Sequence, residues 1–299
     1  MSAFHNNNFS EFSGFNSNSN NDIIIKAPNE LKNKLNDTNT SVIYIDSRDR
    51  NIEKYPNPND YVIYLDDTYR DIVSLELISC DVPKTEYNIN NGNNILHYND
   101  GSTVTVPVGN YDIAGLISAF DTASGGAITM TVDNATRKVT LSGTGNFSLQ
   151  LSDTVPDRDG STRKILKANS IGRILGFKPL DRATAASHVS DGVYTLANED
   201  YIVLKFDDVE RTDGTNNVFK GAFARISFGD IAFGAVKQTK VSDFGSKCIE
   251  VFKPIKPKLD RLRIRFFRHD GSLYDFNGLD HSISIELTTL FQTQKYMVY

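Results

Sequence analysis

The sequence predicts a mainly β protein: a jelly-roll type antiparallel sandwich with one or two short helices and an extended N-terminal arm. Three observations lead there. From Ser41 onward, short apolar or alternating runs are separated by Gly, Asn, Asp and Pro, the punctuation of many short strands. Only two stretches carry a helical period. Residues 1–40, by contrast, are crowded with Asn and Ser and sustain no apolar period, so they cannot offset the entropy of ordering with a core of their own.

The arm comes first in the chain. Phe4, Phe9, Phe12 and Phe15 punctuate it, and Ile23, Ile24 and Ile25 follow. A plain spacer has no need of such anchors. The segment reads either as a floppy Asn-rich tail or as an arm ordered against a neighbouring subunit, in which Phe4, Phe9, Phe12, Phe15 and Ile24 bind that subunit; residues 41–299 are expected to form the sandwich body, with room for an inserted subdomain around 106–200.

Strands are expected near 42–46, 61–65, 72–80, 94–98, 103–108, 128–132, 138–142, 147–151, 201–206, 223–228, 248–252, 261–267 and 282–288. Alternation is clear where Val73, Leu75 and Leu77 face one way against Ser74 and Glu76, and where Ile283, Ile285 and Leu287 alternate with Ser284 and Glu286. Such strands are half-buried and antiparallel. Ile113, Leu116, Ile117 and Phe120 recur at helical spacing, which predicts an amphipathic helix over 111–122 capped by Asn110. A shorter helical turn starts at Ser170, buries Ile171, Ile174 and Leu175, and stops at Gly176.

Composition removes several function classes. The 299 residues carry a net charge of -5, without the basic field that dominates phosphate-backbone binding, so no direct nucleic-acid contact is expected. No run approaches the ~18 apolar residues of a membrane span, and MSAFHNNNFS has no basic region leading into an apolar stretch. Cys80 and Cys248 both lie in strand-like windows, where buried, reduced thiols are expected.

The residues that usually carry chemistry are scattered. His5, His97, His188, His269 and His281 share no metal-ligand spacing; His269–Asp270 precedes Gly271 and reads as a turn, and His281 beside Asp280 reads as a loop histidine bonded to that carboxylate. DRDG at 157–160 lacks the opening and closing ligands of a calcium loop, which fall on Val155 and Leu166. Asp66–Asp67 and Asp207–Asp208 each follow an apolar strand and read as strand-end turns. Gly125–Gly126 suits a tight turn between helix and strand. Neither catalysis nor a metal or cofactor is expected.

In RLRIRFFR, Leu262, Ile264 and Phe266 point one way and Arg261, Arg263 and Arg265 the other. This row of guanidinium groups has two readings: a solvated face paired with carboxylates such as Glu286, or an intersubunit contact in which Arg forks engage a partner's carboxylates.

At YIDSRDRNIEKYPNPNDYVIYL (44–65) followed by VSLELISCDVPKTEYNIN (73–90), the sequence resembles minor capsid or penton-like virion structural proteins of nucleocytoplasmic large DNA viruses. VPVGNYDIAGLISAF (106–120), LGF (175–177) and DGSLYDFNGLDHSISIEL (270–287) extend the resemblance over most of 41–290. It implies a jelly-roll core, no enzymatic residues, and a place in the virion capsid, assembled in the host cytoplasm. The implied partners are the major capsid protein and other capsid components, with a homo-oligomer at a vertex. A jelly roll whose loops bind glycan or a receptor is the alternative; the chain has no Trp for a sugar platform, although 13 Tyr and 18 Phe could substitute.

Overall fold

Alternating apolar positions build two large antiparallel sheets, and a third, of two strands, pairs residues 152–156 with 162–166. The structure, a computed structural model, describes residues 38–290 except 198, 208, 210–216 and 244–246; Phe4, Phe9, Phe12, Phe15 and Ile24 lie outside the described residues. In chain order the elements are β1 (Thr38–Asp46), β2 (Asp60–Pro83), β3 (Ile95–Tyr98), β4 (Ser102–Thr105), α1 (Ile113–Ala123), β5 (Ile128–Val132), β6 (Val139–Leu149), β7 (Ser152–Pro156), β8 (Thr162–Leu166), β9 (Arg182–Val189), β10 (Tyr201–Phe206), β11 (Ala224–Ser227), β12 (Val236–Lys240), β13 (Ile249–Phe267) and β14 (Ser282–Leu290). Asn39–Leu290 form one compact unit.

The first sheet runs β1-β14-β2-β13-β10-β11, with β12 also paired to β2. Its backbone is a pair of long strands, β2 and β13, where the sequence predicts two short strands each. Their register slips twice, between Val251 and Lys256 and between Leu259 and Arg261. Extra residues in one strand of a pair bend it and increase its twist, and strands that bend in this way carry a sandwich from one wall to the other. Asp71, at φ 55°, sits in the same stretch. Among the described residues the early half of β2 faces β13 alone, while its late half also meets β14 and β12. Tyr61 from the early half and Leu75, Leu77 and Cys80 from the late half are fully buried in one core with Ile202, Phe223, Ile264, Phe266 and Ile285.

Asp66 and Asp67 thus lie inside β2 rather than at a strand end. The polar run from Asp66 to Asp71 hides the continuity because the bent ribbon is exposed there on both faces and needs no apolar alternation.

Between β2 and β10 the chain builds a second sheet, β4-β3-β6-β5 with β9 also paired to β6, around a core of its own that includes Leu96, Val104, Met130, Leu141, Leu149, Ile171 and Leu175. Helix α1 packs Leu116 and Phe120 into that core. Its cap is Asp112, whose carboxylate accepts from the Gly115 amide at 2.7 Å, not the expected Asn110; the start shifts because the Asn88 carboxamide already holds Tyr111 through both its amide and its carbonyl, at 2.9 and 2.7 Å. The expected strands 138–142 and 147–151 are one strand, β6, with an irregularity at Gly143–Gly145. A Cβ on Gly143 would stand 2.5 Å from the Gly145 carbonyl oxygen and 2.7 Å from the Phe147 ring. Strands β7, β8, β9 and β12 had no expectation; TRKIL, RATAASHV and VKQTK are too polar to signal burial. At Ser170 the chain makes a 3-10 turn, Ile171–Arg173, capped by the Ser170 hydroxyl.

Candidate interaction surface

Chemistry-bearing side chains gather at four places in the body. The first is a buried latch. Strand β1 ends in Asp46, and the following turn buries Ser47 and Arg50. Arg50, its side chain 5% exposed, donates to the Ser47, Tyr55 and Pro56 carbonyl oxygens at 2.7, 2.9 and 3.1 Å and to Asp280 at 2.5 Å. The Ser47 hydroxyl donates to the same Asp280 oxygen at 2.7 Å and accepts from the His281 amide at 2.9 Å. Burial alone would raise the Asp280 pKa, but these hydrogen bonds from Ser47 and Arg50 hold it below the ordinary value.

His281 is packed among the Tyr61, Phe266 and Phe276 rings, with centroids 5.6, 4.6 and 5.0 Å away. Its Nε2 lies 2.9 Å from the Pro58 carbonyl oxygen, so Nε2 carries the proton. Burial pushes its pKa down to about 4. The expected bond to the Asp280 side chain is not made; the Asp280 carboxylate is occupied by Ser47 and Arg50. Residues 44–65 and 270–287 thus meet in one structural joint, and a neutral, ring-packed imidazole is a fixture of that joint.

The second place is a cleft of about 400 Å³ lined by Glu86, Arg173, Glu199, Arg268, His269 and Asp270. Glu86 is 2% exposed and ion-paired with Arg268. Burial, offset by Arg268 and reinforced by Glu199, pushes the Glu86 pKa up to about 7. Burial and then Asp270 also raise Glu199. His269–Asp270 is the expected turn: the Asp270 carboxylate accepts from the Ser272 amide at 2.9 Å, and the Tyr201 hydroxyl lies 2.5 Å from His269 Nδ1.

The third is the arginine row. Arg263 forks onto Asp60 at 2.8 and 2.7 Å, Arg265 reaches Asp207 at 2.5 Å, and Arg261 stands exposed opposite Tyr64. Glu286, the carboxylate anticipated for the row, instead lies opposite Glu76 on the β14–β2 ladder. Alternation gave the face, but the neighbours across it come from β2 and from the end of β10.

The fourth is an open groove of about 790 Å³ between β1 and the first half of β2, lined by Val42, Tyr44, Ile63, Tyr64, Leu65 and Tyr69 among others. Tyr44 is 80% and Tyr64 66% exposed. Sequence reasoning missed it because the groove is made by strand edges that no described strand covers, and an uncovered edge has no local signal.

Cys80 and Cys248 are buried and unbridged, and burial raises the Cys80 pKa well beyond the thiol range. No group of His, Cys, Asp and Glu with metal-holding geometry occurs among the described residues, and no described helix is long and apolar enough to cross a membrane.

No curated protein sequence is significantly similar to this one. Among solved structures, the selenomethionine-labelled mavirus penton protein is similar with a TM-score of 0.40 at 9% identity, over 84% of this chain and 99% of that one. A family model matches residues 30–131 and 180–295, which include both long strands, the latch and the arginine row, and on that match the chain belongs to the family of unknown function DUF5901.

Proposed function

We propose that this chain is a structural subunit of a large icosahedral DNA virus particle, a minor capsid or vertex (penton-like) component that bridges or plugs capsomers, and that it works by assembly rather than catalysis. The observation that carries the reading is the edge of β1 that faces away from β14, unpaired among the described residues. It is nine residues long and, from Thr38 to Ile45, has no charge and no proline. Soluble proteins normally blunt such edges, because unpaired backbone donors and acceptors recruit other strands. The segments that carry the capsid-protein resemblance support the same reading: their most distinctive polar residues, Ser47, Arg50, Asp280 and His281, are consumed inside the fold.

The partners proposed are the major capsid protein and other capsid components, a homo-oligomer if the site is a vertex, with no direct nucleic-acid contact and assembly in the host cytoplasm. The test is location. Purified particles washed at high salt should retain the chain at a constant ratio to the main shell protein. Loss in the wash, or glycan-array binding by the isolated protein without retention in particles, would point to a peripheral binding module instead.

A further inference from the structure

We propose that the open side of the sandwich, between β1 and the first half of β2, takes a β-strand from the N-terminal arm of a second copy of this chain, with Ile23–Ile25 as the inserted run. The proposal rests on the assembly reading above and adds the partner and the place.

The two ends of the first sheet's main strand order are treated differently. At one, β11 is four residues long and carries Arg225, whose guanidinium lies 4.1 Å from the Tyr201 ring centroid. Short, charged edges resist further pairing. At the other, β1 is paired to β14 alone among the described residues and has neither protection. Between Asp60 and Arg70, β2 is hydrogen-bonded to β13 alone among the described residues, so a second strand edge borders the same groove. Ile43, Ile63, Leu65 and Tyr69 pack only partly against the core there, leaving apolar surface for an added strand to cover.

The arm leads directly into this edge at Thr38, and DIIIK (22–26) is its most strand-like run, three β-branched Ile flanked by Asp22 and Lys26. A run of that length spans about 17 Å, enough to follow β2 from Val62 to Leu65. The charges complement as well. Lys54 borders the groove alongside Val62 and Tyr64, and Asp66 and Asp67 border it beyond Leu65. A run laid along β2 with Asp22 toward Lys54 sets Lys26 against Asp66 and Asp67. Eleven residues, Ala27 to Asp37, separate the run from β1. Strands that fold back on their own neighbour do so most often through loops of about two to five residues. A second copy is the better donor, since a body docked beside its neighbour raises the local concentration of that neighbour's arm.

The experiment uses full-length chains. Ala27→Cys protein with light isotopes and Asp67→Cys protein with heavy isotopes are mixed, joined with a short bis-maleimide, and read by mass spectrometry beside sedimentation of the same samples. Cys80 and Cys248, 0% and 5% exposed, stay out of the reaction. The expected product is a covalent heterodimer joining position 27 of one chain to position 67 of the other. Val42→Lys, at an exposed edge position, should retain native thermal unfolding and lower the yield about tenfold, equivalent to about 1.4 kcal/mol. Linkage only within one chain of an A27C/D67C double variant, capture by Tyr296→Cys in place of Ala27→Cys, or an unchanged yield with Val42→Lys would each overturn the inference. Oligomers without the 27–67 product overturn it and leave the assembly reading standing, whereas a monomer at every concentration overturns both.

Discussion

The latch around Arg50 and the cleft around Glu86 are both buried ion pairs between residues far apart in the chain, yet they settle into opposite electrostatic states. Arg50 has four acceptors and shares its carboxylate with Ser47, and Asp280, 34% exposed, remains an anion held below its ordinary pKa. Glu86 is more deeply buried, faces Arg268, and has Glu199 as a second acid nearby, so its pKa rises. A buried pair is favourable only when hydrogen bonds replace the water that each charge has lost. The latch meets that condition with backbone carbonyls, whereas in the cleft burial, with Glu199 nearby, outweighs the Arg268 charge. Similar pairs thus take different parts: one fastens β1 to the start of β14, and the other holds a carboxyl whose protonated form the fold favours.

The largest effect should come from breaking the latch. Arg50→Ala removes four donated hydrogen bonds and leaves Asp280 with only Ser47. The cost should be about 3 kcal/mol, the lower end for breaking a buried pair, because Asp280 keeps partial access to water. Urea unfolding should show the midpoint falling with little change of slope. A loss no larger than that of a typical exposed pair would mean that the latch is ornamental and the contrast with the cleft unreal.

Acid should separate the two clusters by sign. His281 has a folded pKa of about 4 against about 6.5 unfolded, so the unfolded chain binds more protons between those values and stability rises with pH across that window. Glu86 has a folded pKa of about 7 against about 4.3 unfolded. The folded chain binds more protons there, and its contribution falls as pH rises. Each amounts to about 3 kcal/mol over its window at 1.36 kcal/mol per unit, and in the wild type the two largely cancel. Glu86→Gln should therefore expose a stability that drops on acidification from pH 6.5 to 4.5, and His281→Asn one that climbs over the same range. Parallel slopes in the two variants would show that the two sites do not differ in the way described.

Neither cluster was legible as a cluster in the sequence. SRDR and YPNPND stood out as polar punctuation near Pro56 and Pro58, and DHS as a loop ahead of the last strand, but Arg50 and Asp280 are 230 positions apart, and only the β1–β14–β2 pairing brings them together. Period and turn residues are local signals, and they served where the structure is local: β5 and β10 fall on the expected residues 128–132 and 201–206, and Leu116 and Phe120 face the core as their spacing predicts. They failed where apolar alternation lapses inside a continuous strand. Asp66–Asp71 and Lys253–Lys258 made one bent ribbon look like four strands. The arginine face was readable from alternation alone, whereas its carboxylates were not, because they come from Asp60 and Asp207 on two other strands' ends.

The smallest effect belongs to that arginine face, and it calibrates the other two. Arg263 and Asp60 make the same fork as a buried pair would, at 2.8 and 2.7 Å, but with 42% and 26% of their side chains exposed. Water has not been fully removed from either charge, so little desolvation has been spent and little Coulomb energy is returned. Arg263→Ala should cost about 0–1 kcal/mol, and the cost should shrink further in ~1 M salt, where screening acts within about 3 Å. Arg50→Ala should keep most of its effect under the same salt, since its partners are shielded by the fold. Arg261→Ala, which removes an exposed side chain with no fork of its own, should leave unfolding unchanged and lower incorporation into particles if the row meets a partner's carboxylates. Should Arg261→Ala incorporate normally while Arg263→Ala shows only the small, salt-sensitive loss, the row is a solvated face braced by Asp60 and Asp207, and the assembly contacts lie along the strand edges instead.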